Sequence, residues 1–500
     1  MLWFYWAGFL VYAVFVIYIG WRGYRSQKPS DELKVDFWAA GKTLGPWATG
    51  LSISASFMSI SWSCVYAVQL AYWYGLGALW LLAIPWLIVM GFYYALTPHF
   101  RKMPAFSQPE MLAQRFGEKV RVYFALPLAF VFLVWGGAEI FAAAHILSPI
   151  LDAPFHLVLA LVALVVATYS YLGGFSAVVT TDKVQFALVA FFILSISWIA
   201  ARAAFLGNGV LEVLKSLPSP PKTNTSALSL FAAGPALIAM TFIAYLPGWI
   251  VETDIWLRLQ AAKTNKNARN GVLIASVNSL LFIAVLPMLI GLTTLYLYPP
   301  AGTTIPTELG DGAAIFAVLI RDHTPAALSV LLIVGLASAS MSTIDTCGNV
   351  MALSLSYDLV EPHLAAKNKN MDSAVVARFM SAGAVISAYV YALFTETLWD
   401  IFYLSSGILT TTIFIPMIAL FRPKANKVRV QWAAMSGFIS TFVFYFLETR
   451  GLLHKIEPSW LSSTGLGYIL FGLIVSGLGY LMAGMFSKRT PSTVQRHLSL

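Results

Sequence analysis

Thirteen apolar stretches, each long enough to cross a bilayer as a helix, run through this 500-residue chain with only short polar loops between most of them. A membrane-crossing helix needs about 20 apolar residues to span a hydrocarbon core ~30 Å thick. The stretches lie near 2–21, 45–72, 74–97, 122–150, 156–172, 180–205, 229–251, 271–296, 326–355, 374–394, 397–421, 432–448 and 464–486. Charged residues make up 11% of the chain, against roughly 25% in a soluble domain. Mean hydropathy is +0.76. The sequence therefore predicts an all-α, polytopic integral membrane protein. The first stretch has no basic segment before it, so it is expected to stay as a first helix and not to be cleaved. Cys64 and Cys347 both fall inside spans and are expected to be small buried hydrophobes.

The net charge is +9, which would suit a nucleic-acid binder only if the basic groups shared one face. They do not. All but six of the 31 basic residues fall in alternate loops, from Arg22, Arg25 and Lys42 through Arg101, Lys119 and Lys183 to Lys263, Lys367, Arg422 and Lys488. The exceptions are Arg202, Lys215, Lys222, Arg321, Arg450 and Lys455. By the positive-inside rule this bias predicts an outside N-terminus and a cytoplasmic C-terminus. The long outer loops 206–228 and 297–325 have room for a short surface helix.

Residues 335–358, GLASASMSTIDTCGNVMALSLSYD, read as a membrane helix with oxygen along one side. Ala339, Ser342, Thr343 and Thr346 are spaced i, i+3, i+4 and i+7, so they share a face. Asp345 lies beside them. Hydroxyls, a carbonyl and a carboxylate converging in apolar surroundings suit a small hard cation. Close helix packing through small residues accounts for the Ser and Thr alone. Asp345 points to an ion or proton site, because intramembrane carboxylates are costly and usually functional.

Two spans carry signs of interruption. Ser52, Ser54, Ser56, Ser59, Ser61 and Ser63 alternate through the second span, and Pro247-Gly248 sits in the seventh. Interrupted helices five spans apart point to two five-helix repeats of opposite orientation, with the binding site between the breaks. The boundaries expected are an extra N-terminal helix at 2–21, a first repeat at 45–205, a second at 229–421 and C-terminal helices at 432–486. Glu139 is another intramembrane carboxylate. It is expected either to meet a positive or hydrogen-bond-donating solute group, or to be partnered by His145 or a backbone amide. Glu252 and Asp254 near Arg258 predict a salt-bridge cluster at the inner gate. His145, His156, His323 and His363 show no metal-ligand spacing, and no nucleophile–base pair or phosphate loop is present, so no enzyme is predicted.

Four segments resemble the sodium:solute symporter family: AGKTLGPWATGLSISASFMSISW, YSYLGGFSAVVTTDKVQF, WLRLQAAKTNKNARNG and LASASMSTIDTCGNVMALSLSYDL. The resemblance covers roughly residues 35–425 and keeps order and spacing. It implies a LeuT-like five-plus-five core with one extra N-terminal helix, Na⁺-coupled symport of a small organic solute, and a bacterial inner membrane as the setting. It implies a Na⁺ site of carbonyls at Ala55, Met58 and Ala339 with hydroxyls at Ser342 and Thr343. It implies a candidate second Na⁺ or H⁺ site at Asp182, Asp345 and Thr346, where Asp345 departs from a neutral hydroxyl. Phe57 stands where proline-type members have an acid, and Ser61-Trp62 where sugar-type members have glutamine. The resemblance therefore names no solute. Solute-lining candidates are Phe57, Ser61, Trp62, Gln69, Trp135, Glu139, Tyr245 and Trp249. Expected partners are Na⁺, a small solute and the bilayer, with no nucleic acid and no obligate protein partner. A proton-coupled symporter using Asp345 and Glu139, and a solute-sensing receptor, are the alternatives.

Overall fold

The computed structural model describes residues 2–25, 42–102, 105, 107–366, 373–395 and 398–486. Basic residues such as Lys28, Lys34, Lys367, Lys369, Lys488, Arg489 and Arg496 lie outside them. Among the described residues the elements are helical. The long ones are α1 (Leu2–Arg25), α2 (Pro46–Phe57), α3 (Ile60–Trp80), α4 (Ala83–Phe100), α5 (Gln108–Phe116), α6 (Val122–Leu151) and α7 (Phe155–Phe205). There follow α8 (Val210–Lys215), α9 (Pro235–Ile250), α10 (Thr253–Ala261), α11 (Asn265–Leu297), α12 (Ile315–His323), α13 (Ala326–Ala352), α14 (Ser373–Ala392), α15 (Leu398–Ala419), α16 (Lys427–Thr449) and α17 (Gly467–Phe486). Eleven stretches are long and apolar enough to span a membrane, and the bent pair α2–α3 makes a twelfth. The 18-residue α4 occupies the position of the expected third span. Short helices α8 and α12 sit in the two long loops 206–228 and 297–325.

Burial sorts the spans. In α13 and α15, 78% and 83% of the most apolar window is inside the protein, against 22% in α1 and 28% in α16 and α17. The central helices therefore pack on protein, and the terminal ones present Leu, Phe and Val to lipid. Two expectations change. The spans expected at 156–172 and 180–205 are joined without a loop, as apolar stretches Phe155–Leu172 and Val179–Phe205 of one helical run. The interruption expected at Pro247-Gly248 falls four residues later, at Val251–Glu252.

Thr410 explains the second change. Proline has no N–H and disturbs the helical ladder around it. The Gly248 N–H donates to Thr410 Oγ1 at 3.0 Å, and that hydroxyl donates to the Ala244 carbonyl at 2.7 Å. One side chain of α15 is inserted into the ladder of α9, a recognised cause of helix bending. The backbone stays satisfied in an environment with no water to replace the lost bond.

α2 ends at Phe57, and α3 leaves it at 62°. The Met58 N–H closes the last turn on Ser54 O at 2.8 Å, and Ser59 Oγ caps the next helix by accepting from Trp62 N at 2.9 Å. The far ends of the two broken spans are tied together. Leu44 N–H donates to Ala261 O at 3.1 Å and Lys263 N–H to Leu44 O at 2.9 Å. α2 also crosses α11 at a glycine pair: a Cβ at Gly50 would lie 2.7 Å from Ile274 Cβ and 2.8 Å from Gly271 O. Gly50→Ala is expected to push α2 off α11 and lower the melting temperature by several degrees. Gly91→Ala, facing open space on α4, should leave it unchanged or raise it. Thermal melts of the two purified variants check this.

Candidate functional site

The break in α2–α3 exposes helix ends at the middle of the protein. The last carbonyls of α2 have no intrahelical donor beyond Met58 N, and a helix C-terminus is a negative pole. α13 crosses here. Thr343 Oγ1 lies 3.1 Å from Ser56 O, and Ser342 Oγ donates to Asp182 Oδ1 at 3.0 Å. Ala55, Met58, Ala339 and Ser342 are at most 1% exposed. The carbonyl end of α2 thus meets the Thr343 hydroxyl of α13 through a direct hydrogen bond in a buried place, while the neighbouring Ser342 hydroxyl turns to Asp182 of α7.

One and a half turns toward Pro46, a buried charge network closes the same face. Arg258 is completely buried and contacts Asp254 directly. Its other nitrogens reach Ser52 Oγ at 2.9 Å, Thr346 Oγ1 at 3.0 Å and Asp182 Oδ2 at 3.3 Å. Ser52 Oγ also donates to Asp182 at 2.5 Å, and Ser56 Oγ donates to Asp254 at 3.1 Å. Asp345, fully buried, accepts from the Tyr169 hydroxyl at 2.8 Å, which is equally close to Met341 O. Asp182 and Thr346 therefore meet through a guanidinium. The salt-bridge cluster expected around Arg258 does form with Asp254, and it extends to α2, α7 and α13. Glu252 makes no ion pair in it.

Beside the break lies a cavity of ≈ 50 Å³ lined by aromatic rings and three carboxylates. Phe57, Trp62, Trp135, Glu139 and Trp249 line it, together with Phe402, Glu252 and Asp254. Trp62 stands edge-on to Trp249 at 5.2 Å and to Phe402 at 4.8 Å. Tyr245 stacks behind Trp249 at 4.2 Å. Trp135 and Trp249 are held by Ser405 and Ser406 of α15. Ser61 sits behind Glu139 and bonds it through both N–H and hydroxyl. His145 is not its partner; that ring stacks on Phe141 at 5.7 Å. Gln69 lies apart, in a separate cavity with His145 and Asp311, donating to Asp311 O at 3.1 Å. Thr410, Tyr169 and Phe402 were not singled out from the sequence, and Ser52 was named only as a mark of the broken span. The run Thr410-Thr411-Thr412 in an apolar span was the available signal for the first.

An all-helical core with two interrupted spans, oxygen atoms at the first break and a cavity beside it is the architecture of a membrane transporter. The sequence pattern of the sodium:solute symporter family matches residues 37–439, and the chain belongs to that family. It is 22% identical over 490 residues to the osmoregulated proline transporter OpuE of Bacillus subtilis, covering 96% of this chain and 94% of that protein. It is 23% identical to the sodium/sialic acid symporter NanT of Aliivibrio fischeri (94% and 90% covered) and 24% identical to the sodium/pantothenate symporter of Haemophilus influenzae (94% of each). Among solved structures it resembles a substrate-bound, outward-open Na⁺-coupled sialic acid symporter, with a TM-score of 0.74 at 17% identity over 98% of this chain and 99% of the other. Mhp1, a nucleobase-cation-symport-1 family transporter, gives a TM-score of 0.51 at 12% identity, with 92% and 97% covered. The fold is thus the LeuT-like inverted-repeat core with an added N-terminal helix and two C-terminal ones.

Arg258→Gln leaves Asp182 and Asp254 buried without their cation. Breaking a buried pair costs ~3–5 kcal/mol, so the variant should melt well below the parent. Adding Asp254→Asn should recover ~0.5–3 kcal/mol of it, the range of coupling between contacting residues. A double-mutant cycle of thermal or denaturant stability checks this.

Proposed function

We propose that the chain is a secondary active transporter that couples Na⁺ entry to uptake of a small organic solute by alternating access. Family membership and fold support Na⁺-dependent transport in general. The observation that carries the assignment to residues is the meeting of the α2 carbonyl end with the α13 hydroxyls at Thr343–Ser56. Half-helix C-terminal ends and unwound carbonyls are what this kind of transporter offers a monovalent cation. In this reading Ala55 O, Met58 O, Ala339 O, Ser342 Oγ and Thr343 Oγ1 hold Na⁺. The ion ties α2 to α13 and orders the adjoining cavity, so Na⁺ and solute each raise the other's affinity by the same factor. Substrate closes the site; inward opening then releases Na⁺ where its concentration is low.

The repeats are assigned to 45–205 and 229–421, with 2–21 and 432–486 outside them. The basic loops support a cytoplasmic C-terminus and an outside N-terminus, in a bacterial inner membrane. The candidate second set is assigned no Na⁺ while Arg258 bridges Asp182 and Thr346. A proton-coupled variant has its own support in the Asp345–Tyr169 pair, a buried carboxylate on the transport helix. Buried intramembrane acids of this kind serve proton relays elsewhere.

Ser342→Ala with Thr343→Ala should abolish Na⁺ stimulation of solute uptake into proteoliposomes and leave the folded fraction unchanged. Retained Na⁺ affinity in the double variant contradicts the site. With pH clamped and Na⁺ replaced by K⁺, loss of uptake supports Na⁺ coupling. Uptake that persists and follows the pH gradient, and that Asp345→Asn removes, supports the proton variant.

A further inference from the structure

Both half-helices that begin at mid-protein already carry a carboxylate of the protein at their positive ends. A helix N-terminus attracts anions, and interrupted transporter helices use that end for an anionic substrate group. At the start of α3 the place is taken: Ser61 N donates to Glu139 Oε2 at 3.3 Å, and Ser61 Oγ bonds the other oxygen. At the start of α10, Glu252 is the residue before the first turn and Asp254 lies within it. These three acids line the same cavity, and no Lys, Arg or His lines it among the described residues. Arg258, the nearest cation in sequence, is engaged by Asp254 and Asp182. A solute carboxylate would find neither a free helix end nor a basic side chain.

A cation finds the opposite. Glu252 is 2% exposed, and its Oε2 is buried with no hydrogen-bond partner. An orphaned buried acceptor of this kind is costly until a donor or positive charge reaches it. Trp62, Trp135 and Trp249 line the same cavity. Tryptophan is the best ring for holding an organic cation, and desolvation strengthens the contact. The ≈ 50 Å³ of free space admits only a few heavy atoms unless the walls move. A water needs ~10–15 Å³ on such a measure.

We propose that the transported solute is a small organic cation, an amine or quaternary ammonium, held between the Trp62–Trp249 rings and the Glu139, Glu252 and Asp254 carboxylates. The inference rests on the reading of the protein as a Na⁺-coupled solute transporter.

The test is a thermal-shift and binding series on the purified full-length protein in lipid nanodiscs, in NaCl and in KCl. The probes are ethanolamine and choline, the uncharged tert-butyl analogue of choline, the zwitterions proline and glycine betaine, and the anion pantothenate. The expected result is a Na⁺-dependent shift by an ammonium probe and none by its neutral isostere. Ethanolamine above choline marks hydrogen-bond donation to Glu252; choline above ethanolamine marks the aromatic wall. Glu252→Gln should weaken the ammonium probe by at least ~10-fold, a loss of about 1.4 kcal/mol. Where that variant does not fold, the charge series on the parent protein decides alone. A Na⁺-dependent shift by the zwitterions, the anion or the neutral analogue, with none by the amines, overturns the cation assignment and leaves Na⁺-coupled transport standing. No Na⁺-dependent shift by any probe overturns both.

Discussion

Lipid offers no partner to a backbone amide or carbonyl, so an interrupted membrane helix must be completed by protein or by what it binds. The break at Met58–Ser59 is where that constraint acts most strongly. Its N-terminal half presents carbonyls with no helical donor, and its C-terminal half presents amides with no helical acceptor. Thr343 meets the first set, and Ser59 and Glu139 meet the second. Two other helices, α13 and α6, are therefore drawn to one point because one helix is discontinuous. The cavity, the candidate ion ligands and the aromatic wall are all arranged around it.

The polarity of the break also separates the chemistries. Carbonyl ends favour a cation on the α13 side. The amide ends, which would favour an anion, have been given carboxylates of the chain itself. Next to them Arg258 balances Asp182 and Asp254 and spans four helices. A buried network of this sort is a weak source of net stability, but losing one member is costly. It is suited to a gate that is either fully formed or fully released. Whether Asp345 joins that balance as a carboxylate or as an acid decides between the two coupling ions.

Much of this was legible in the sequence because lipid simplifies the rules. Hydropathy alone located the spans, the alternating serines marked the first break, and the helical spacing of Ala339, Ser342, Thr343 and Thr346 put them on one face. What was not legible depended on partners far away in the chain. Pro247-Gly248 marked a disturbed helix, but the chain opens only at Val251, because Thr410, 162 residues on from Gly248, bridges the Gly248 N–H to the Ala244 carbonyl. Glu139 was expected to meet a solute group, His145 or a backbone amide; it meets an amide, but that of Ser61, 78 residues away and beyond the reach of any local pattern. Gln69 follows Ser61 and Trp62 by two turns, which is enough to carry it into the neighbouring cavity. Arg258 was visible as a gate residue, but its contact with Thr346 depends on a crossing of helices that no local pattern encodes.

The proposed Na⁺ site joins the carbonyl end of α2 to the hydroxyls of α13. Equilibrium binding of radiolabelled Na⁺ to the purified protein, without solute, tests it most directly. The expected result is saturable binding that K⁺ does not displace and that is lost when Ser342 and Thr343 are both alanine. Saturable binding unchanged in that folded double variant, or none in the folded parent protein, would contradict it.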